Sequence, residues 1–216
     1  MNKITTLLFD FDGTLLDTDM LVIRSYLHVF DKYRPDYKLT LKELSSFLGP
    51  KLKDIFPKYF KEDFDELLSE FHKYSYCNIT RFAYVFEGVY STLELLKNKG
   101  YKLGIVTNRF KDSLFEVIKP FDLKKYFDCF IALDDVKYSK PSKEAIDKAL
   151  KLLNSKKEET IFIGDTETDI MAGKNAEVKT ALVGWSHFND KKIKADFILN
   201  SFDSLFKDLK LEVKNK

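Results

Sequence analysis

The chain has 216 residues, enough for one domain with a sizeable core or for a core domain with a smaller one beside it. Its 36 Lys and Arg residues against 34 Asp and Glu residues leave a net charge of +2, which gives no electrostatic basis for binding nucleic acid. No apolar run approaches the roughly 20 residues that span a bilayer. The first apolar run ends at Asp10, too early for a signal peptide. We therefore expect a cytoplasmic protein that binds neither nucleic acid nor membrane.

The N-terminal part of the chain is predicted to form one strand followed by several helices. The apolar run that includes Leu7, Leu8 and Phe9 predicts a buried strand over residues 4–9. Apolar residues then recur at helical spacing over three segments, 22–33, 41–48 and 64–71. We expect Gly49-Pro50 to end the second helix and Pro57 to break or kink the segment before the third.

Helices and strands alternate in the remainder of the chain. Predicted strands lie at 101–107, 127–133, 160–164 and 180–184, with a possible edge strand at 196–199. Helical patterns separate them, and alternation at this spacing is typical of a parallel sheet with crossover helices. We therefore predict an α/β fold with a Rossmann-like parallel sheet, helices on both faces and an all-helical cap inserted after the first strand. The core domain is predicted to comprise residues 1–16 and 84–216, and the cap residues 17–83.

Polar side chains follow four of the predicted strands where each strand ends. They are Asp10 and Asp12, then Thr107 and Asn108, then Lys140 before Pro141, then Asp165 and Asp169. Ligands of doubly wound sheets bind outside the carboxyl ends of the strands, so we expect these side chains to lie together.

The composition of this edge indicates phosphoryl chemistry with a cation. Four carboxylates in one place repel one another unless some stay protonated or a cation neutralises them. Mg²⁺ prefers carboxylate and water oxygens and commonly meets a substrate phosphate. An ammonium and a hydroxyl suit the phosphate oxygens. The chain has no Gly-rich GxxxxGK[ST] loop, which excludes a P-loop enzyme.

Four motifs in this order resemble those of the haloacid dehalogenase superfamily: DFDGTLLDT, VTN, SKP and GDTETD. The resemblance covers essentially the whole chain, including the helical cap. It implies that Asp10 is the nucleophile that forms an aspartyl-phosphate and that Asp12 is the general acid and base. It also implies that Thr107 and Lys140 bind phosphoryl oxygens, whereas Asn108 either does so too or shapes the turn.

The same resemblance implies a Mg²⁺ site. Asp10, Asp165 and the backbone carbonyl of Asp12 would bind the metal, and Asp169 would hold it directly or through water. Asp12 argues against dehalogenase and phosphonatase chemistry, because those relatives have no acid at this position. The expected activity is hydrolysis of a small phosphorylated metabolite, with phosphoglycolate favoured. A nucleotidase or pyrophosphatase, a β-phosphoglucomutase-type phosphotransferase and a catalytically silent binding protein remain as alternatives.

The stretch FLGPKLKDIF in the predicted cap resembles the substrate-contacting loop of phosphoglycolate phosphatases and of related pyrophosphatases and nucleotidases. Lys51 in this stretch is a candidate for binding an anionic leaving group. Trp185 and His187 follow the fifth predicted strand, and we expect both to pack rather than to react. The expected assembly is a monomer or a homodimer.

Overall fold

The computed structural model describes residues 3–186 and 193–211. The chain divides into two compact units, of which one comprises Met1–Asp17 with Val85–Lys216 and the other Thr18–Tyr84. No helix in the described part of the chain is long and apolar enough to cross a membrane.

The larger unit is built on a parallel sheet that has six strands within the described residues. Counting a separate pair, the described residues form eight strands in all. In chain order they are β1 (Thr6–Phe9), β2 (Leu16–Asp17), β3 (Tyr84–Val85), β4 (Lys102–Val106), β5 (Cys129–Ile131), β6 (Thr160–Gly164), β7 (Lys179–Val183) and β8 (Phe197–Leu199). The main sheet has the order β5-β4-β1-β6-β7-β8, and β2 and β3 form a separate two-stranded sheet. The predicted α/β fold with a parallel sheet is confirmed.

The first strand lies inside the sheet, next to the point where the strand order reverses. Phe9, the last residue of β1, is in register with Ile105 of β4 and Ile163 of β6. The carboxyl ends of these three strands therefore meet at one edge. In a doubly wound sheet this is where ligands bind.

Helices follow most of the strands, as the alternating pattern predicts. They are α1 (Asp19–Tyr33), α2 (Leu41–Ser46), α3 (Leu52–Tyr59), α4 (Phe64–Phe82), α5 (Val89–Asn98), α6 (Lys111–Ile118), α7 (Glu144–Leu153), α8 (Glu167–Asn175) and α9 (Leu205–Asp208). The first four form the smaller unit, which is helical as expected for a cap.

Both faces of the main sheet are covered by apolar groups. Leu8 belongs to a buried cluster with residues of α7 and α8, including Ile146 and Ala172. The next residue, Phe9, points to the opposite face, since neighbouring side chains of a strand alternate. There its ring contacts Phe127 and Phe202, with centroids 6.2 and 6.4 Å away. Burial on both faces explains why three consecutive residues of β1, Leu7, Leu8 and Phe9, are all apolar.

The helical unit has its own aromatic core. The ring of Tyr26 in α1 lies 4.7 Å from Phe47, 5.7 Å from Phe56 and 5.1 Å from Phe71, measured between centroids. These rings bring α1, α3 and α4 together with the end of α2. The helical spacing of the apolar residues in this segment therefore serves one buried cluster.

We expected Pro57 to break or kink the segment before the third predicted helix, and the structure shows that it does not break it. It lies inside α3, which continues through it to Tyr59. Proline removes the backbone bond to the residue four positions earlier, yet the helix continues past it, and the N–H of Phe60 still donates to the carbonyl of Phe56.

Candidate active site

Asp10 is the residue that directly follows β1. It is buried, and its backbone N–H donates to the carbonyl of Ile163 at 2.8 Å, which extends the sheet by one bond past the strand. The turn then continues through Gly13, whose φ of 73° favours glycine. A Cβ atom at Gly13 would also collide with the carboxylate of Asp165. The DFDG stretch thus brings the chain close against the end of β6.

Three carboxylates form the centre of the site. One oxygen from each of Asp10, Asp165 and Asp169 lies within 4.8 Å of the others, and all three residues are buried. Asp169 is fixed by Thr166 in a capping box at the start of α8, where the Thr166 hydroxyl donates to Asp169 Oδ2 at 2.6 Å. Ser186 donates to Asp165 Oδ2 at 2.7 Å.

Lys140 brings a buried positive charge into this cluster. Its Nζ lies 2.7 Å from Asp10 Oδ1 and 2.6 Å from Asp169 Oδ1, and it also donates to the Val106 carbonyl at 3.2 Å. All three donor positions of the ammonium are therefore used. A cis peptide bond joins Lys140 to Pro141 at this point of the loop.

Burial and mutual repulsion control the ionisation of these groups. Burial raises the pKa of Asp10 well above its usual range, and the charge of Asp169 adds to this while Lys140 opposes it. Burial and Asp169 also raise the pKa of Asp165 to about 7, against the hydrogen bond from Ser186. Burial lowers the pKa of Lys140, but the charges of Asp10 and Asp169 outweigh this and raise it. Lys140 therefore stays cationic at neutral pH.

The cluster is suited to a metal ion. One ammonium faces three carboxylates, so their full ionisation leaves negative charge that a cation would neutralise. Asp165 Oδ1 is buried and accepts no hydrogen bond from the described residues. Buried carboxylate oxygens are normally paired or bound to a metal. Asp10, Asp165 and Asp169 are thus the residues that could hold one.

Thr107 and Asn108 follow β4 at the same edge. Thr107 is buried, and its hydroxyl accepts from the backbone N–H of Arg109 at 3.2 Å, which leaves its own hydrogen to donate. Asn108 Oδ1 accepts from the Lys140 backbone N–H at 3.0 Å, and its Nδ2 donates to the Lys140 carbonyl at 3.4 Å. Asn108 thereby holds the loop that carries Lys140, which favours its turn-shaping role over the phosphate contact.

Two contributors to the site were missed from the sequence. Arg109 forms a two-pronged pair with Asp12, from Nε to Oδ2 at 3.0 Å and from Nη2 to Oδ1 at 2.6 Å. Ser186 binds Asp165, as described above. Arg109 could have been found by its position directly after Thr107-Asn108. For Ser186 the sequence carries no comparable signal, because it follows the end of β7 by three residues in an irregular segment.

The remaining predicted residues have other settings. Lys51 belongs to the helical unit, where it is exposed at the position just before α3. Trp185 packs against Phe202, with ring centroids 4.7 Å apart, and donates from Nε1 to the Thr14 carbonyl at 3.2 Å. Trp185 therefore makes packing contacts, in line with the expectation from the sequence. His187 lies outside the described residues.

Comparison with known proteins supports the family that the motifs at this edge of the sheet indicate. Residues 7–183 match the family model of haloacid dehalogenase-like hydrolases. The chain is 39% identical over 206 residues to a protein named pyrophosphatase PpaX from Halalkalibacterium halodurans, covering 94% of this chain and 95% of that protein. It is 40% identical over 184 residues to the protein of the same name from Anoxybacillus flavithermus, covering 85% of each.

A solved structure shares the fold. A protein described as a predicted phosphoglycolate phosphatase from Haemophilus somnus superposes with a TM-score of 0.82 at 19% identity, covering 96% of this chain and 98% of that one. At this identity the likeness concerns the fold alone. The family match and the two PpaX relatives extend over most of the chain, and the matched range includes every residue of the carboxylate cluster. The chain therefore belongs to the haloacid dehalogenase-like hydrolases and is an enzyme of their phosphatase type.

Proposed function

We propose that the protein is a Mg²⁺-dependent phosphatase that works through an aspartyl-phosphate on Asp10, with inorganic pyrophosphate as its favoured substrate. The observation that carries the proposal is the buried Asp10 carboxylate, which shares Lys140 with Asp169 and lies within one metal-binding cluster with Asp165. A carboxylate in this setting can attack phosphorus, because the Lys140 ammonium together with a bound cation would offset the charge of an incoming phosphoryl group.

The reaction would proceed in two displacements. In the first, an oxygen of Asp10 bonds to phosphorus while the bond from phosphorus to the leaving oxygen breaks, and Asp12 gives that oxygen a proton. In the second, water attacks phosphorus, its proton passes to Asp12, and the bond between phosphorus and Asp10 breaks. Inorganic phosphate leaves and both carboxyl groups return to their starting forms.

Other residues of the edge would bind and orient the phosphoryl group. The Thr107 hydroxyl has its hydrogen to donate to a phosphoryl oxygen, and the Lys140 ammonium offsets negative charge there. Asn108 would keep Lys140 in place through its two backbone hydrogen bonds.

The metal site supports Mg²⁺ as the cation. Asp10, Asp165 and Asp169 offer the carboxylate oxygens that Mg²⁺ prefers, and the backbone carbonyl of Asp12 would add a fourth oxygen. When bound, Mg²⁺ would neutralise the carboxylates and polarise a phosphoryl oxygen. The sequence prediction of Mg²⁺ thereby becomes part of this proposal.

Two lines of support differ on the substrate. The most similar relatives described above are named pyrophosphatases, and this favours a phosphoric anhydride. The FLGPKLKDIF stretch resembles a loop shared by phosphoglycolate phosphatases and pyrophosphatases, so phosphoglycolate is the competing substrate. We place pyrophosphate first because the identity to those relatives extends over most of the chain. A cytoplasmic location and a monomeric or dimeric state stay predictions.

The test is a substrate panel of pyrophosphate, phosphoglycolate and p-nitrophenyl phosphate, ranked by kcat/KM with Mg²⁺ and with EDTA. We expect pyrophosphate to rank first, EDTA to abolish turnover and added Mg²⁺ to restore it. Asp10→Asn should abolish turnover of all three, while Asp36→Asn, which changes an exposed acid, should not. Near wild-type turnover by Asp10→Asn would overturn the mechanism, and a higher kcat/KM for phosphoglycolate would overturn the substrate assignment.

Lys51 carries a separate prediction about substrate charge. If its ammonium binds the anionic leaving group, Lys51→Ala should raise KM for pyrophosphate several-fold more than KM for p-nitrophenyl phosphate. Lys53→Ala is the matched control, because Lys53 lies two residues further along, in the first turn of α3, and is also exposed. Equal changes for the two substrates would contradict the role predicted for Lys51.

A further inference from the structure

The guanidinium of Arg109 contacts both carboxylate oxygens of Asp12. Nε donates to Oδ2 at 3.0 Å and Nη2 donates to Oδ1 at 2.6 Å. A fork of two parallel bonds fixes the plane of a carboxylate as well as its position, which a single ammonium contact does not. The Asp12 side chain is 34% exposed and that of Arg109 only 16%, so the more buried partner holds the more exposed one.

Arg109 is itself held from three directions. Its third nitrogen, Nη1, donates to the hydroxyl of Ser113, a buried residue of α6, at 2.8 Å. Its backbone N–H donates to the Thr107 hydroxyl at 3.2 Å, and its carbonyl accepts from the Leu133 N–H at 2.9 Å. A side chain anchored at its tip and at its backbone loses little further freedom when it holds another group.

The pairing has a chemical consequence for Asp12. A carboxylate takes a proton from water at an oxygen lone pair, and the fork fixes the directions in which the lone pairs of Asp12 point. A carboxylate oxygen has two lone pairs, so accepting one bond from Arg109 does not in itself block proton uptake. General base catalysis depends on such positioning, because a misplaced base loses most of its effect.

We propose that Arg109, anchored by Ser113, is a positioning residue that holds Asp12 for the water-activating second displacement. This inference rests on the proposed function, since it assumes the aspartyl-phosphate on Asp10. Arg109 acts through Asp12 and is not assigned a contact with the substrate. When the leaving group needs no proton from Asp12, loss of the fork should therefore slow hydrolysis of the phosphoenzyme and leave its formation nearly unchanged.

The test uses p-nitrophenyl phosphate, because nitrophenolate leaves without needing a proton. For this substrate kcat/KM covers the steps up to nitrophenolate departure, whereas kcat includes phosphoenzyme hydrolysis. We expect Arg109→Met to lower kcat and KM together by about tenfold or more, with kcat/KM changed by less than about threefold. A burst of about one nitrophenolate per active site should appear, and intact mass after acid quench should show accumulated phosphoenzyme.

Further variants separate positioning from a general loss of structure. Arg109→Lys, which keeps the charge without the fork, should fall between Arg109→Met and wild type. Ser113→Ala should change kcat in the same direction by less, and combining Arg109→Met with Asp12→Asn should add little to the effect of Asp12→Asn. The control is Arg34→Gln, which removes a similar fork from Glu62 in the helical unit and should give no burst.

The outcomes distinguish the two proposals. A fall in kcat/KM at unchanged kcat would mean that Arg109 binds substrate. Equal losses of kcat and kcat/KM, without accumulation of phosphoenzyme, would mean a structural role. Either result overturns the inference about Arg109. The proposed function still stands in that case if the wild-type protein forms a phosphoenzyme that Asp10→Asn abolishes. If wild-type protein forms no phosphoenzyme that Asp10→Asn abolishes, the proposed function fails and the inference fails with it.

Discussion

The buried carboxylate of Asp165 would suit a metal ion, but its charged form is destabilised when no cation is bound. One of its oxygens accepts from Ser186, and the other is buried without a hydrogen bond from the described residues. Burial and the charge of Asp169 raise its pKa to about 7. Near neutral pH a proton and the proposed metal ion would therefore compete for the same carboxylate.

The first prediction concerns this competition. As pH falls from 8 to 6, Asp165 gains a proton, so the apparent affinity for Mg²⁺ should fall by about tenfold. Activity titrated with Mg²⁺ at each pH gives this affinity. Ser186→Ala removes a hydrogen bond that lowers the pKa of Asp165, so the loss should begin at higher pH. The same Mg²⁺ affinity at pH 6 and pH 8 would contradict the assignment.

At the scale of residues, the sequence motifs identify the charged side chains of the site but not the residues that position those side chains. Asp10 and Asp165 could be located because each directly follows an apolar strand. Lys140, in the loop before Pro141, and Asp169, four residues after Asp165, were found from their places in the motifs that follow two of the strands. The support from Ser186 depends on how a distant, irregular segment returns to the site, and this is not encoded in local periodicity.

At the scale of elements, the close packing of β4 beside β1 and β5 depends on Gly104. A Cβ atom at this position would lie 2.6 Å from Cys129 Sγ and 2.8 Å from Leu8 Cδ2, both closer than real contacts allow. Gly104 therefore makes room for its neighbours in β5 and β1. Overpacking of a close-packed core is destabilising.

The second prediction follows from this contact. Gly104→Ala should lower the free energy of unfolding by about 1–3 kcal/mol, measured by urea denaturation. Combining it with Cys129→Ala removes the sulfur that the new methyl group would meet, so the double variant should lose less than the sum of the single losses. Strict additivity of the two changes would show that this contact is not the cause.

Element boundaries show what local patterns miss. The α6 pattern runs on to Phe121, but the helix ends at Ile118 and a 3₁₀ turn with Pro120 covers Lys119–Phe121. Apolar spacing alone does not distinguish these two helix types over three residues. The two-residue strands β2 and β3 were also missed, because a pairing this short has no period of its own to recognise.

At the scale of the whole molecule, the buried acids oppose folding when no cation neutralises them. Asp10 and Asp165 have pKa values above the ordinary value of 3.8, so the folded state binds their protons more tightly than the unfolded chain does. Their contribution to stability is therefore lost as pH rises toward the folded-state pKa values. Lys140, with a raised pKa, remains charged across the same range and does not offset this loss.

The third prediction is a gain in stability on removal of one acid. In EDTA at pH 8, Asp165→Asn should increase the free energy of unfolding by on the order of 2 kcal/mol, because an amide keeps the Ser186 hydrogen bond without the charge. The gain should shrink as the pH is lowered to 5. Asp36→Asn serves as the exposed control and should change stability little. A less stable Asp165→Asn protein at pH 8 would contradict this account.

The architecture was predictable because its signals are long. Alternating apolar strands and helices over more than a hundred residues indicate a parallel sheet, and the helical spacing between the first strand and Gly88 indicates an inserted helical segment. The order β5-β4-β1-β6-β7-β8 was not predicted, since which strands become neighbours depends on contacts across the whole chain. The placement of functional residues at one edge needed only the direction of the strands.

The most direct test of the account is whether a phosphoryl group becomes covalently attached to Asp10. Wild-type protein would be mixed with p-nitrophenyl phosphate and Mg²⁺, quenched in acid and examined by intact mass and by mass spectrometry of its peptides. We expect one added phosphoryl group, located on the peptide that contains Asp10 and absent from Asp10→Asn. A phosphoryl group on another residue, or turnover with no covalent intermediate under conditions that trap one, would contradict it.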